Sequence, residues 1–214
     1  VALRLSDDDA DNLTQYVQQG GHLTVGCFSG LVDDSDRVRP GAHPGALRDV
    51  LGLVVDEFLP LRTGERARLA DGTDVEQWTE RVESRGCTTV SRYADSAEGG
   101  PARGGPAVTR HAFGDGTAWY GAGRLPVPAL RALLRAVCEQ ARITPVVEGP
   151  DGLEAVRRTG RGAFLPVPDQ PHREDCHRAR RRRGPRRAEA TGGRAVVPPG
   201  GVVVVREDHL PASA

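Results

Sequence analysis

Between Ser6 and Phe28 the chain spells a helix, its stop and a strand in immediate succession, and that order restricts the fold more than any other feature. Ser6 followed by Asp7, Asp8 and Asp9 is a helix start. A serine hydroxyl accepts from a free N–H of the first turn, and acids there lie at the positive end of the helix dipole. Leu13, Tyr16 and Val17 recur at helical spacing, and Gly20–Gly21 ends the helix. From His22 to Phe28 a short strand is expected, with Leu23, Val25 and Cys27 on one face. A helix that passes directly into a strand builds an α/β layer.

The rest of the chain continues in the same style. After a polar loop, Pro44 precedes a short helix carrying Leu47, Val50 and Leu51, closed by Gly52, and residues 53–58 read as a strand. A brief strand at 67–69 runs into the Asp71–Gly72 turn dipeptide. Residues 75–82 read as a helix and residues 88–93 as a strand. Gly114-Asp115-Gly116 between 107–113 and 117–122 is a hairpin signal. Leu130, Leu133, Leu134 and Val137 form the apolar stripe of a helix over about 128–141. Residues 153–158, 195–197 and 202–205 are strand-like, with Pro198 to Gly201 as a turn. The expected organisation is an α/β domain over 1–145, a linker at 146–152, a small β domain over 153–207 and a tail at 208–214.

Composition narrows the function. Basic and acidic residues balance at 29 each, so no global field points to nucleic acid or an anionic membrane. Every formally basic residue is Arg, with no Lys, which fits GC-rich coding DNA. Cys27, Cys87, Cys138 and Cys176 form no CxxC pair, so neither a zinc knuckle nor a redox motif is supported. No apolar run is long enough to span a membrane. Val1 opens the chain and no Met occurs in it, which reads as a fragment of a longer protein.

Each candidate for chemistry has a plainer explanation. Gly26-Cys27-Phe28-Ser29-Gly30 resembles a nucleophile elbow, but Phe28 holds the middle position and both nucleophiles are offset. Asp33, Asp34 and Asp36 lack the alternate ligands, central Gly and distal Glu of a calcium loop. Trp119 and Tyr120 are expected to pack within the hairpin rather than stack on a sugar. Nothing in the spacing brings His111 and Glu154 together as an acid–base pair, and Ser6 with Asp9 is capping. The arginines of 178–183, with Arg186 and Arg187, suggest phosphate binding, but no aromatic is interleaved for base stacking.

A family resemblance rests on several short motifs in order. The run from Tyr16 to Gly26 (YVQQGGHLTVG) continues through Phe28-Ser29-Gly30, Val32 to Asp36, Pro44 to Asp49, Leu51-Gly52, Glu57-Phe58 and Pro60-Leu61. Ala107 to Arg110 then leads to Gly114-Asp115-Gly116-Thr117-Ala118-Trp119-Tyr120, with Leu153 to Arg158 and Val197 to Val202 further on. This order resembles the trimerisation and C-terminal domains of family 42 beta-galactosidases. The resemblance implies a flavodoxin-like, class I glutamine amidotransferase-like three-layer α/β domain, N-terminally truncated by its first strand and followed by an incomplete β domain. It implies a homotrimeric, cytoplasmic parent that cleaves terminal beta-galactosides by a retaining mechanism, with two glutamates on a barrel that precedes this region. It gives this chain no catalytic, cofactor-binding or metal-binding residue, so the chain alone is expected to be inactive. Two other readings stay open: a thiol hydrolase using Cys27, and an Arg-rich nucleic-acid-binding module.

Residues 165–191 break the pattern. They carry too few apolar side chains to offset the entropy of ordering and are expected to be disordered or out of frame. For one choice of silent bases, Leu165 to His172 read one base later encodes an apolar strand. The edge at 202–205 would then lack its neighbours.

Overall fold

The structure is a computed structural model and describes residues 3–146, Gly152 and 154–156, together with the backbone of Arg186–Arg187 and Val203–Val204. The chain divides into two compact units, Val1–Ile143 and Thr144–Ala214.

The first helix, α1 (Asp7–Gln18), starts where the sequence places it. Ser6 Oγ accepts from the Asp9 N–H at 3.1 Å, and its own hydroxyl donates to the Asp9 carboxylate at 2.7 Å. The reciprocal half of the capping box therefore runs from hydroxyl to carboxylate. Ser6→Ala removes both contacts and should lower stability by about 1 kcal/mol. Urea unfolding measures this, and an unchanged midpoint would mean the cap contributes nothing. Gly20 adopts a φ of 100°, which favours glycine, and the Gly21 N–H then closes onto the Tyr16 carbonyl at 2.9 Å.

Strand β1 (His22–Gly26) follows at once. It ends short of the expected Phe28, because the backbone turns there and Phe28 itself takes a φ of 64°. A 3₁₀ turn (Gly45–Leu47) and α2 (Arg48–Leu51) come next, closed by Gly52 at a φ of 62°. The remaining strands of the first unit are β2 (Leu53–Pro60), β3 (Arg66–Arg68), β4 (Asp74–Glu76), β5 (Trp78–Ser84), β6 (Thr88–Arg92), β7 (Pro106–Phe113) and β8 (Gly116–Gly121). Helix α3 (Val127–Gln140) completes the unit.

The main sheet has the order β1-β8-β7-β6 and is mixed. Strand β1 runs parallel to β8, with His22 opposite Thr117 and Gly26 opposite Gly121, while β8–β7 and β7–β6 are antiparallel. The hairpin β7–β8 confirms the Gly114-Asp115-Gly116 signal. Two two-stranded antiparallel ladders, the longer β2–β5 and the short β3–β4, lie outside this sheet. The class is α/β with a mixed sheet and few helices.

One expected helix is absent. Residues 75–82 carry Val75, Trp78, Thr79 and Val82 at i, i+3, i+4 and i+7, which mimics a helical stripe. They form β4 and β5 instead, separated by Gln77 at a φ of 68°. A left-handed residue cannot continue a right-handed helix, and pairing with β2 and β3 satisfies the backbone that a helix would have closed on itself.

The main core gathers Val17, Val25, Leu47, Val50, Leu51, Leu53, Val55 and Tyr120 from α1, α2 and the strands beside them. A second cluster holds Ala67, Leu69, Val75, Tyr93, Ala102 and Ala107. Helix α3 is attached mainly through Val137, which packs with Val108 and Trp119, and through the partly buried Leu133. Leu130 and Leu134 of the expected stripe stay 41% and 44% exposed.

In the second unit, Arg186–Arg187 (β9) pair in parallel with Val203–Val204 (β10). These two residue pairs are all that the structure describes of 165–191 and 202–205. The strand expected over 153–158 does not include Glu154–Val156, which take no regular structure. The remainder of 165–191, the expected strand at 195–197 and the tail at 208–214 lie outside the described residues.

Candidate functional site

The end of β1 is where an α/β sheet of this kind offers a site, because the chain turns sharply there and exposes whatever the turn carries. The turn runs through Cys27, Phe28 and Ser29, with the Ser29 N–H donating to the Gly26 carbonyl at 3.3 Å. Phe28 occupies the left-handed position. In an elbow built for nucleophilic attack, that strained residue is the nucleophile. Here it is a benzyl ring, and its surroundings are built for a ring. The centroid of Phe28 lies 4.3 Å from Trp78 and 5.7 Å from Phe58, and His43 meets Phe58 at 5.2 Å, edge on. Aromatic pairs at these separations hold one another by dispersion and quadrupole contacts.

Behind this row lies a buried carboxylate. Glu80, on β5, is fully buried. Tyr120 donates its hydroxyl to one carboxylate oxygen at 2.6 Å and the Trp78 indole N–H donates to the other at 3.2 Å. Both donors are neutral. Burial pushes the Glu80 carboxyl up, and the bonds from Tyr120 and Trp78 offset part of that rise. Burial also raises the Cys27 thiol, and a charge on Glu80 raises it further. Tyr93 and Tyr120 are pushed up for the same two reasons, and the Tyr93 hydroxyl donates to the Ala122 carbonyl at 2.9 Å. Every ionisable group of the cluster is thus held toward its neutral form. A thiol in such a place is a poor nucleophile, since the thiolate is the reactive species.

His43 stands at the other end of the aromatic row. It is 8% exposed, and its Nε2 is buried with no hydrogen-bond partner. Burial pushes its pKa down to about 4 from 6.5. The folded chain therefore keeps the imidazole neutral, while the unfolded chain protonates it below pH 6.5. The stability this group contributes is present above pH 6.5 and is lost as pH falls from 6.5 toward about 4. Urea midpoints across that window should fall for the wild type more steeply than for His43→Gln. Equal slopes would refute the assignment. Asp33 and Asp74 are both held below the usual carboxylate value of 3.8, so their own losses come at lower pH.

The other sequence candidates fall where their plainer explanations put them. Asp33 accepts from the Ser35 and Arg37 N–H groups at 2.9 Å each, shaping a turn, and Asp36 pairs with Arg4 at 3.0 Å. Among the described residues no group of three or more His, Cys, Asp or Glu is placed to hold a metal. Trp119 and Tyr120 are buried, and Arg110 lies over the Trp119 ring at 5.7 Å. His111 Nδ1 donates to the Val50 carbonyl at 3.0 Å, and Glu154 is exposed in the second unit. No helix among the described residues is long and apolar enough to cross a membrane. Sequence reading missed Glu80, His43 and Arg39. His43 and Arg39 each sit between apolar chain neighbours, a signal shared by many surface segments, while Glu80 lies between Thr79 and Arg81 and carries none.

Taken together, the mixed sheet and the strand-end turn packed as core define an α/β domain whose elbow position carries an aromatic ring in place of a nucleophile. Residues 2–144 match the model of the beta-galactosidase trimerisation domain, and the chain belongs to that family. It is 34% identical over 169 residues to the beta-galactosidase LacZ of Heyndrickxia coagulans, covering 77% of this chain and 25% of that one. A beta-galactosidase of an Arthrobacter species is 35% identical over 163 residues, covering 75% and 23%. The crystal structure of a beta-galactosidase from Bacillus circulans sp. alkalophilus superposes with a TM-score of 0.68 at 26% identity, over 76% of this chain and 25% of that one. That of the haloarchaeon Halorubrum lacusprofundi gives 0.64 at 28% identity, over 71% and 23%. The chain spans about a quarter of the length of the curated relatives it matches.

Proposed function

We propose that this chain is the non-catalytic assembly region of a beta-galactosidase. Its parent would hydrolyse terminal beta-galactosides in the cytoplasm through a barrel outside this sequence, and residues 1–145 would serve its homotrimer. The observation that carries this is the family match over residues 2–144, in a chain that spans a quarter of its relatives. The proposed domain plan keeps the flavodoxin-like, amidotransferase-like three-layer arrangement for 1–145 and a β domain over 153–207. The half-exposed face of α3, where Val127, Leu130 and Leu134 lie open, supports an associating role, because exposed apolar patches mark contact surfaces. The raised Cys27 thiol and the aromatic elbow weigh against a thiol hydrolase.

Sedimentation tests the proposal. Joined to its barrel, the region should sediment as a trimer that cleaves galactosides, and the 214-residue chain alone should show no galactosidase activity. A strict monomer of the joined protein, or activity in the chain alone, would overturn it.

A further inference from the structure

Strand β1 forms one edge of the main sheet and β6 the other. An open strand edge is a template for another strand, and natural edges carry bulges, prolines or charges that discourage pairing. The β6 edge is guarded in this way. Its pairing with β7 shifts register between Thr89 and Ser91 and again between Ser91 and Arg92, and the Arg92 carbonyl accepts from the Ala70 N–H at 3.0 Å. The β1 edge has no such guard. His22-Leu23-Thr24-Val25-Gly26 contains no proline and no Asp, Glu, Lys or Arg, and it pairs with β8 without a shift. Thr24, at its centre, is exposed.

The register says which backbone groups that edge presents. The Thr117 N–H donates to the Gly21 carbonyl at 3.1 Å, so Gly21, Leu23 and Val25 turn their groups toward β8, while His22, Thr24 and Gly26 turn theirs outward. Two of the outward groups are taken. The His22 N–H donates to the Tyr16 hydroxyl at 3.4 Å, and the Gly26 carbonyl accepts from the Ser29 N–H at 3.3 Å. Left without a partner among the described residues are the His22 carbonyl, both groups of Thr24 and the Gly26 N–H. This set is its own complement under a two-fold axis through Thr24. In an antiparallel pair each Thr24 N–H meets the Thr24 carbonyl of the second copy, and each Gly26 N–H meets the His22 carbonyl. The side chains agree. His22 stands opposite Gly26, where a Cβ would meet nothing within 4 Å and a ring has room. On the other face Leu23 stands opposite Val25, which extends the apolar surface of the main core.

We propose that the edge of β1 is a self-association surface, through which two copies of this chain pair Thr24 with Thr24 and join their main sheets into one. The contact is isologous, so it is distinct from the three-fold contact proposed for the longer protein, and either can fail without the other. Sedimentation of the 214-residue chain over a range of concentrations tests it. Five-residue strands bury little surface, so the chain should be a monomer when dilute and a dimer when concentrated. Thr24→Pro removes an N–H that the pairing with β8 does not use, and it should abolish the dimer. Thr24→Lys sets two like charges directly opposite each other and should weaken the dimer about fivefold or more, so it tests the surface even if the proline variant does not fold. Val90→Lys, at a 52% exposed residue of the guarded edge, should leave the dimer unchanged. Amide exchange at Thr24 and Gly26 should slow as the dimer forms. A chain that stays monomeric at every concentration would overturn the proposal, as would a dimer that both Thr24 variants leave intact. Protection of those two amides in the dilute monomer would mean that another segment of the same chain covers the edge, and would overturn it as well.

Discussion

Gly116→Ala is expected to destabilise the chain by about 3 kcal/mol, through a clash that no side-chain movement relieves. A Cβ at Gly116 would fall far inside contact distance of the Val17 and Gly21 carbonyl oxygens, with the Gly21 nitrogen at 3.0 Å. All three are backbone atoms. The crowding follows from how α1 ends. Its last carbonyls need donors from outside the helix, and the hairpin tip provides one: the Asp115 N–H donates to the Gln18 carbonyl at 3.1 Å. The Thr117 N–H then donates to the Gly21 carbonyl at 3.1 Å, which draws the start of β8 against the turn. Only a residue without a side chain fits between those two bonds. Gly121→Ala, on the same strand, is the control, because a Cβ there meets nothing within 4 Å. Thermal or urea unfolding of the two variants decides the point. Equal losses would show that the docking of the hairpin on α1 is not what Gly116 serves.

That contact also shows what was legible in the sequence. The helix cap at Ser6, the Gly20–Gly21 stop and the Gly114-Asp115-Gly116 turn were each readable alone, because each is a local backbone requirement. Their meeting was not readable, because it depends on the parallel pairing of β1 with β8 across about ninety residues of chain. The misreading of residues 75–82 has the same origin. Val75, Trp78, Thr79 and Val82 fit a helical period and a pair of strands equally well, and partners distant in sequence chose between them. The stripe on α3 was read correctly as a helix, but periodicity says which residues share a face, not whether anything covers it.

At the strand-end turn the sequence was more informative. Phe28 between two glycine-flanked nucleophile candidates was visible as the wrong residue for an elbow, and the backbone places that residue in the left-handed position. What could not be read was the reason. Phe28 is held by Phe58 and Trp78, which come from strands thirty and fifty residues on. Glu80 likewise looks like an ordinary surface carboxylate of the expected 75–82 helix until Tyr120 and Trp78 enclose it.

Tyr120→Phe should lower stability by about 2 kcal/mol at neutral pH, and by clearly less in acid. The phenol hydroxyl donates to the Glu80 carboxylate at 2.6 Å inside a fully buried site, and phenylalanine fills the same space without that donor. The pH dependence follows from the direction of the Glu80 shift. Burial raises its folded-state pKa above the ordinary 4.5, so the stability linked to this group is fully present below about pH 4.5 and is lost as pH climbs through the folded value. The Tyr120 bond opposes that rise by favouring the ionised form. Without it, the folded carboxyl titrates higher still, and the penalty for ionising Glu80 in the core grows. Below pH 4.5 the carboxyl is protonated in both states and loses only a bond between neutral groups, which is roughly half as strong as one to a charge. Urea unfolding of both proteins at pH 4 and pH 7 separates the two regimes. A loss of equal size at both values would mean that Glu80 does not change its protonation between them, and that Tyr120 serves the core by packing alone.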